Sequence, residues 1–128
     1  MTRILIVEDD DNQRLLYRED FQDHGYEVFE ARDGTEALTA IERHAPDAVV
    51  LDINMPGLDG LSTLTRIHDR HRRLPVVLNS AYSAYRDQYV SWIADAYVVK
   101  SSDLTELRDT VRDVVARRSR GPGMREDS

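Results

Sequence analysis

Four groups in this sequence stand where they can do chemistry together. Glu8 and Asp9 follow the apolar run Ile4-Leu5-Ile6-Val7, and Asp10 and Asp11 come next. Asp52 closes a second run, Ala48-Val49-Val50-Leu51, just before the turn-rich stretch Ile53-Asn54-Met55-Pro56-Gly57-Leu58-Asp59-Gly60. Ser80 follows the run from Pro75 to Asn79, and Lys100 follows Ala96 to Val99. Clustered carboxylates repel one another and resist desolvation. A hard divalent cation with oxygen ligands relieves both problems, and Mg²⁺ is the usual one where phosphate is also handled. Asp52 would then give one oxygen to the metal and keep the other to attack phosphorus, forming an acyl phosphate. Such transfer depends on positioning and on neutralising the equatorial oxygens. Lys100 and Ser80 are of the right type for that. Lys100 is also the only lysine in a chain whose other long basic side chains are all arginine.

These groups must be brought together by the elements that carry them. Five short apolar runs, Arg3 to Val7, Glu27 to Ala31, Ala48 to Leu51, Pro75 to Asn79 and Ala96 to Val99, alternate with five helical patterns. That alternation predicts a parallel sheet with right-handed crossovers. In such a sheet the C-terminal strand ends share one edge, and ligands bind where the strand order reverses. The order 2-1-3-4-5 centres the two acid-bearing strands and leaves the polar second strand outside.

The first helix is expected over Asn12 to His24, with Leu15, Leu16, Tyr17 and Phe21 on its apolar side. Asp33-Gly34-Thr35-Glu36 and Asp103-Leu104-Thr105-Glu106 are capping-box starts for the second and last helices. The third begins near Asp59-Gly60 and buries Leu61, Leu64 and Ile67. A fourth, about Ser83 to Ile93, carries Tyr82, Tyr85, Tyr89 and Trp92 on one face. The last helix is read as ending near Arg118, so residues 1–118 form the domain and 119–128 a tail or linker.

Composition narrows the function classes. The chain has 128 residues and 41% hydrophobic content, the size of one domain with a real core. There is no Cys, which excludes disulfides and thiolate metal sites. No apolar stretch is long enough for a membrane span, and no secretory leader pattern precedes the first strand. A cytoplasmic protein is therefore expected. The net charge of −7 argues against nucleic-acid binding by this domain alone. His24, His44, His68 and His71 show no metal-ligand spacing with a buried acid.

Four segments in this order, Ile4 to Asp10, Val49 to Gly60, Asn79-Ser80-Ala81 and Tyr97-Val98-Val99-Lys100, resemble the receiver domain of two-component response regulators. The similarity covers about residues 3 to 118. It implies a flavodoxin-like α/β fold with a doubly wound five-stranded sheet and five helices. It implies that a histidine kinase or phosphotransfer protein phosphorylates Asp52. Asp9 would be a direct Mg²⁺ ligand with Glu8 beside it, and the main-chain carbonyl of Asn54 would complete the metal site. Lys100 would bind a phosphoryl oxygen. Ser80 and Tyr97 would be the switch pair, shifting the face of the fourth helix, fifth strand and last helix to control a downstream protein or output domain. The chain would not be an enzyme beyond its own phosphoryl transfer and autodephosphorylation.

Three features depart from the family pattern, the first being Ile93, which stands before Ala94-Asp95 where a Gly is common. Ser101 stands after Lys100, where a proline with a cis peptide is usual. Tyr82 is bulky for a position two past Ser80, and it is expected to slow attack by water on the acyl phosphate.

Overall fold

A computed structural model describes residues 1–53, 58–81 and 94–126 of the chain. Five strands form one parallel sheet: β1 (Arg3–Val7), β2 (Glu27–Ala31), β3 (Ala48–Ile53), β4 (Val76–Ser80) and β5 (Ala96–Val99). Their order is β2-β1-β3-β4-β5, as expected. Four helices are described: α1 (Asp11–Asp23), α2 (Gly34–His44), α3 (Leu58–Arg70) and α4 (Thr105–Glu126). The helix expected over Ser83 to Ile93, with its aromatic stripe and Tyr82, lies outside the described residues.

Strand alternation sorts the core into two layers. Leu5, Val7, Val49, Leu51 and Leu78 face Ala37, Leu38 and Ile41 of α2 and Leu64 and Ile67 of α3. Ile4, Ile6, Val50, Val77 and Val98 face Tyr17 and Phe21 of α1 and Leu107, Val111 and Val114 of α4. β3 is buried at both faces over Ala48 to Leu51, so its run reads as continuously apolar. β2 is the half-exposed edge.

Two strands run further than their apolar residues suggest. β3 continues through Asp52 to Ile53, and β4 through Asn79 to Ser80, because Asp52 pairs with Asn79 and Ile53 with Ser80 in register. Asp52 and Ser80 therefore sit inside strands, not just past them. The ladder hydrogen bonds hold a polar side chain in the strand as firmly as an apolar one.

Side chains cap the helices. Asp10 accepts from Gln13 N at the start of α1. Gly25, at φ 91°, follows the end of α1, where the left-handed conformation suits glycine. Asp33 accepts from Glu36 N at 2.8 Å, and Glu36 reaches back to the N–H of Arg32 at 2.8 Å, a capping box displaced by one residue. The expected apolar side of α1 needs correction. Tyr17 and Phe21 are buried, but Leu15 and Leu16 are 41% and 51% exposed. Tyr17 and Phe21 are four apart and share a face, from which Leu15 and Leu16 are rotated away at 100° per residue.

α4 runs on to Glu126, past the end expected at Arg118. Arg108 of α4 makes two 2.8 Å bonds to Asp20 of α1. A turn or more later, Arg118 reaches the carbonyl of Asp47 at 3.1 Å, at the N-terminal edge of the sheet.

Candidate functional site

The acids meet on the edge that the topology predicts. β1 and β3 are neighbours, so the chain leaves both strands at the same place, and Val7 pairs with Leu51. Glu8 continues the parity of Ile4 and Ile6, and Asp52 that of Ala48 and Val50. Both therefore lean toward the side of the sheet covered by α1 and α4. Lys100 continues the parity of Ala96 and Val98 and arrives on that side too. Its ammonium lies on Asp52 Oδ1 and 3.2 Å from Glu8 Oε1. Asp9 is exposed, yet carboxylate oxygens of Glu8, Asp9 and Asp52 all lie within 4.8 Å of one another. Four of the expected site residues are thus gathered around one small volume.

Burial governs the electrostatics. Glu8 is 1% exposed and accepts from the N–H of Asp10 at 3.1 Å, while its carbonyl accepts from Arg14 at 2.9 Å. Desolvation pushes its carboxyl up to about 7, with the Asp10 N–H and Lys100 opposing the rise and the Asp52 charge adding to it. Desolvation raises the Asp52 carboxyl as well, against the pull of Lys100. Burial works against the Lys100 ammonium, but the Asp52 contact outweighs it and holds the lysine charged. The Lys100–Asp52 contact is an ion pair and not a well-aligned hydrogen bond: Asp52 Oδ1 has no directional partner among the described residues.

Three oxygen donors this close, two of them on buried side chains, with Asp52 Oδ1 lacking a hydrogen-bond partner among the described residues, fit a small divalent cation. Ligands on opposite sides of Mg²⁺ stand about 4 Å apart. Asn54, expected to add a carbonyl, lies outside the described residues.

Ser80 is buried, and its carbonyl accepts from Lys100 N at 2.6 Å. Alternation puts its side chain with Leu78, on the opposite side of the sheet from Asp52. Tyr97 is 8% exposed and packs in the same layer as Leu78, its register partner. Ser80 and Tyr97 are thus neighbours on one face. The Lys100-Ser101 peptide is trans. Ser101 Oγ accepts from Asp103 N at 3.1 Å, and Asp103 Oδ1 accepts from Thr105 N at 2.9 Å, so a short side-chain-braced turn carries β5 into α4.

A cleft of about 610 Å³ opens from the acids toward α2 and α3, reaching Gly34, Thr63 and Arg66.

Two neighbours of the site were not singled out from sequence. Gln13 Oε1 accepts from Lys100 Nζ at 2.7 Å. Buried Asn79 is the register partner of Asp52 and stands against the Tyr17 hydroxyl. The i, i+4 spacing of Gln13 and Tyr17 is the one signal that both face inward.

The comparisons agree with this architecture. The family model of the response regulator receiver domain matches residues 4–112. The transcriptional regulatory protein PrrA of Mycobacterium tuberculosis is 39% identical over 118 residues, which cover 91% of this chain and 51% of PrrA. The chain thus spans about half the length of that relative. The sporulation initiation phosphotransferase F of Bacillus subtilis is 33% identical over 112 residues, 86% of this chain and 90% of that protein. Among solved structures, the response regulator TrrA of Thermotoga maritima in complex with Mg²⁺-BeF has a TM-score of 0.81 at 42% identity, over 89% of this chain and 99% of TrrA. TrrA in complex with the histidine kinase ThkA gives 0.79 at 42% identity, over 89% of this chain and 98% of that one.

Proposed function

The chain belongs to the response regulator receiver domain family, and from that premise we propose that Asp52 accepts a phosphoryl group from a phosphohistidine of a kinase or phosphotransfer protein. The observation that carries the reading is the meeting of Glu8, Asp9 and Asp52 within 4.8 Å, with the Lys100 ammonium on Asp52.

Glu8, Asp9 and Asp52, with the carbonyl of Asn54, would hold Mg²⁺, which supplies charge neutralisation for the transferring group. Asp52 attacks phosphorus in line. A P–O bond to its carboxylate forms as the P–N bond of the donor breaks, and the imidazole nitrogen keeps that electron pair. Lys100 leaves its ion pair for a phosphoryl oxygen. The new group brings about −1.5 to −2 charge and three acceptor oxygens. Ser80 turns toward them, and Tyr97 fills the space behind it. The result is a population shift of the face that includes β5 and α4. Water later attacks phosphorus, the P–O bond to Asp52 breaks, inorganic phosphate leaves and the free carboxylate returns, so the domain is a switch and not an enzyme acting on others.

Leu15 and Leu16, exposed on α1 beside the site, suit the apolar part of a kinase docking face. TrrA is a relative solved with its kinase. Leu16→Asp should slow transfer from the kinase and leave transfer from a small donor intact; equal loss from both would remove this assignment. We read residues 119–128 as a C-terminal tail or linker. No described helix is long and apolar enough to cross a membrane. We assign the chain to the cytoplasm.

The test is direct. Incubation with Mg²⁺ and a small acyl-phosphate donor should add one phosphoryl group by intact mass, and Asp52→Asn should abolish it. Modification that persists in Asp52→Asn would sink the proposal.

A further inference from the structure

The geometry points to Gln13 as a positioning residue that holds the Lys100 ammonium over the rim of β1 and β3 as a neutral acceptor. This rests on the acceptor reading above and adds a residue to it.

An ammonium has three N–H donors and no acceptor. The described contacts of Lys100 Nζ include Asp52 Oδ1, Glu8 Oε1 at 3.2 Å and Gln13 Oε1 at 2.7 Å. The first two are carboxylates on strand ends; the third is an uncharged amide on a helix. Gln13 is fixed for the task. Its own N–H is held by Asp10 at 2.9 Å, in the capped first turn of α1. The next residue, Arg14, bonds the Glu8 carbonyl at 2.9 Å, tying that turn to the acid site. Gln13 is half-buried, so its bond to the charged lysine is partly shielded from water.

The choice of an amide has a reason in charge. Three carboxylates already crowd the site, and the incoming phosphoryl group is itself an anion. A fourth carboxylate would repel it and bind the lysine too tightly to release. Without the Gln13 oxygen, Lys100 would lean more heavily on Asp52, and the nucleophile would have to break a stronger ion pair before attack. An amide oxygen shares the ammonium without either penalty.

The single lysine makes the test clean, because ¹⁵N-lysine labelling of the full chain gives one side-chain ammonium signal. In the metal-free protein this resonance should be protected from exchange. Gln13→Met keeps the volume and removes the acceptor; it should shift the signal and speed its exchange. Gln13→Glu keeps an acceptor and should restore protection. With Mg²⁺ and a small acyl-phosphate donor, Gln13→Met should lower the rate at saturating donor about tenfold, the scale of one hydrogen bond to a charged group, with the donor KM unchanged. Gln13→Glu should transfer more slowly still. Wild-type ammonium signal and wild-type rate in Gln13→Met would overturn the inference. If the unsubstituted chain takes no phosphoryl group at all, the acceptor reading fails instead, and the ammonium signal still decides the role of Gln13.

Discussion

Lys100 and Asp52 form an ion pair closed almost entirely to solvent, with side chains 13% and 4% exposed. The pair is offset by the burial of Asp52 and, less, by the charge of Asp9, so Asp52 still favours its neutral form more than a carboxyl in water does. A neutral amide at this position should therefore suit the metal-free fold. Asp52→Asn is expected to raise the melting temperature in chelator at neutral pH and to weaken the stabilisation by Mg²⁺. Calorimetry with and without the metal checks both. A lower melting temperature in chelator would show that the ion pair outweighs the repulsion.

Glu8 gives the fold a pH dependence of definite sign. Its carboxyl is raised from 4.5 to about 7, so the unfolded chain releases this proton first. The Glu8 contribution is fully present below about pH 4.5 and is lost as the pH rises through about 7. In metal-free buffer, stability should fall across that window, and Glu8→Gln should flatten the fall. Mg²⁺ competes with the same proton, so its stabilising effect should grow over the same range. Parallel denaturant titrations of parent and variant decide the point; equal slopes would remove Glu8 as the source.

Gly34 and Thr63 set the approach of α2 to α3. A Cβ on Gly34 would clash with Thr63 Oγ1. Gly34→Ala should destabilise the parent by about 1 kcal/mol, because the threonine must turn or the helices part. In a Thr63→Ala background the same change should be neutral or stabilising, since alanine is the better helix former. A double-mutant cycle measures the coupling, and additivity would refute the clash.

Arg108 Nη1 donates to both carboxylate oxygens of Asp20 at 2.8 Å and so joins α4 to α1, with side chains 22% and 20% exposed. One nitrogen makes both contacts, so a lysine ammonium can carry the same charge to the same oxygens. Arg108→Lys should keep most of the coupling measured by a double-mutant cycle with Asp20→Ala, and Arg108→Met should abolish it. A coupling lost in lysine would mean that the planar guanidinium, and not charge alone, is needed there.

The sheet was legible because its strands are dense in Val, Ile and Leu, and because acid, hydroxyl and amine each follow such a run. The ends of β3 and β4 were not, since Asp52 and Ser80 look like turn residues until their register partners are known. The buried side of α1 was misjudged at Leu15 and Leu16, where apolar residues fall off the stripe shared by Tyr17 and Phe21. The meeting of Glu8, Asp9, Asp52 and Lys100 followed from topology alone. Gln13 did not, because an amide on a helix carries no signal of its partner; only the reach of the Lys100 side chain across to α1 reveals it.

Arg118 grips the main chain just before β3, at the opposite pole of the sheet from the acids. The far end of α4 is thus anchored on the side of the domain remote from Lys100 and Asp52. A change among the acids reaches that anchor through the intervening strands and helices, as a change in how the body holds its final helix.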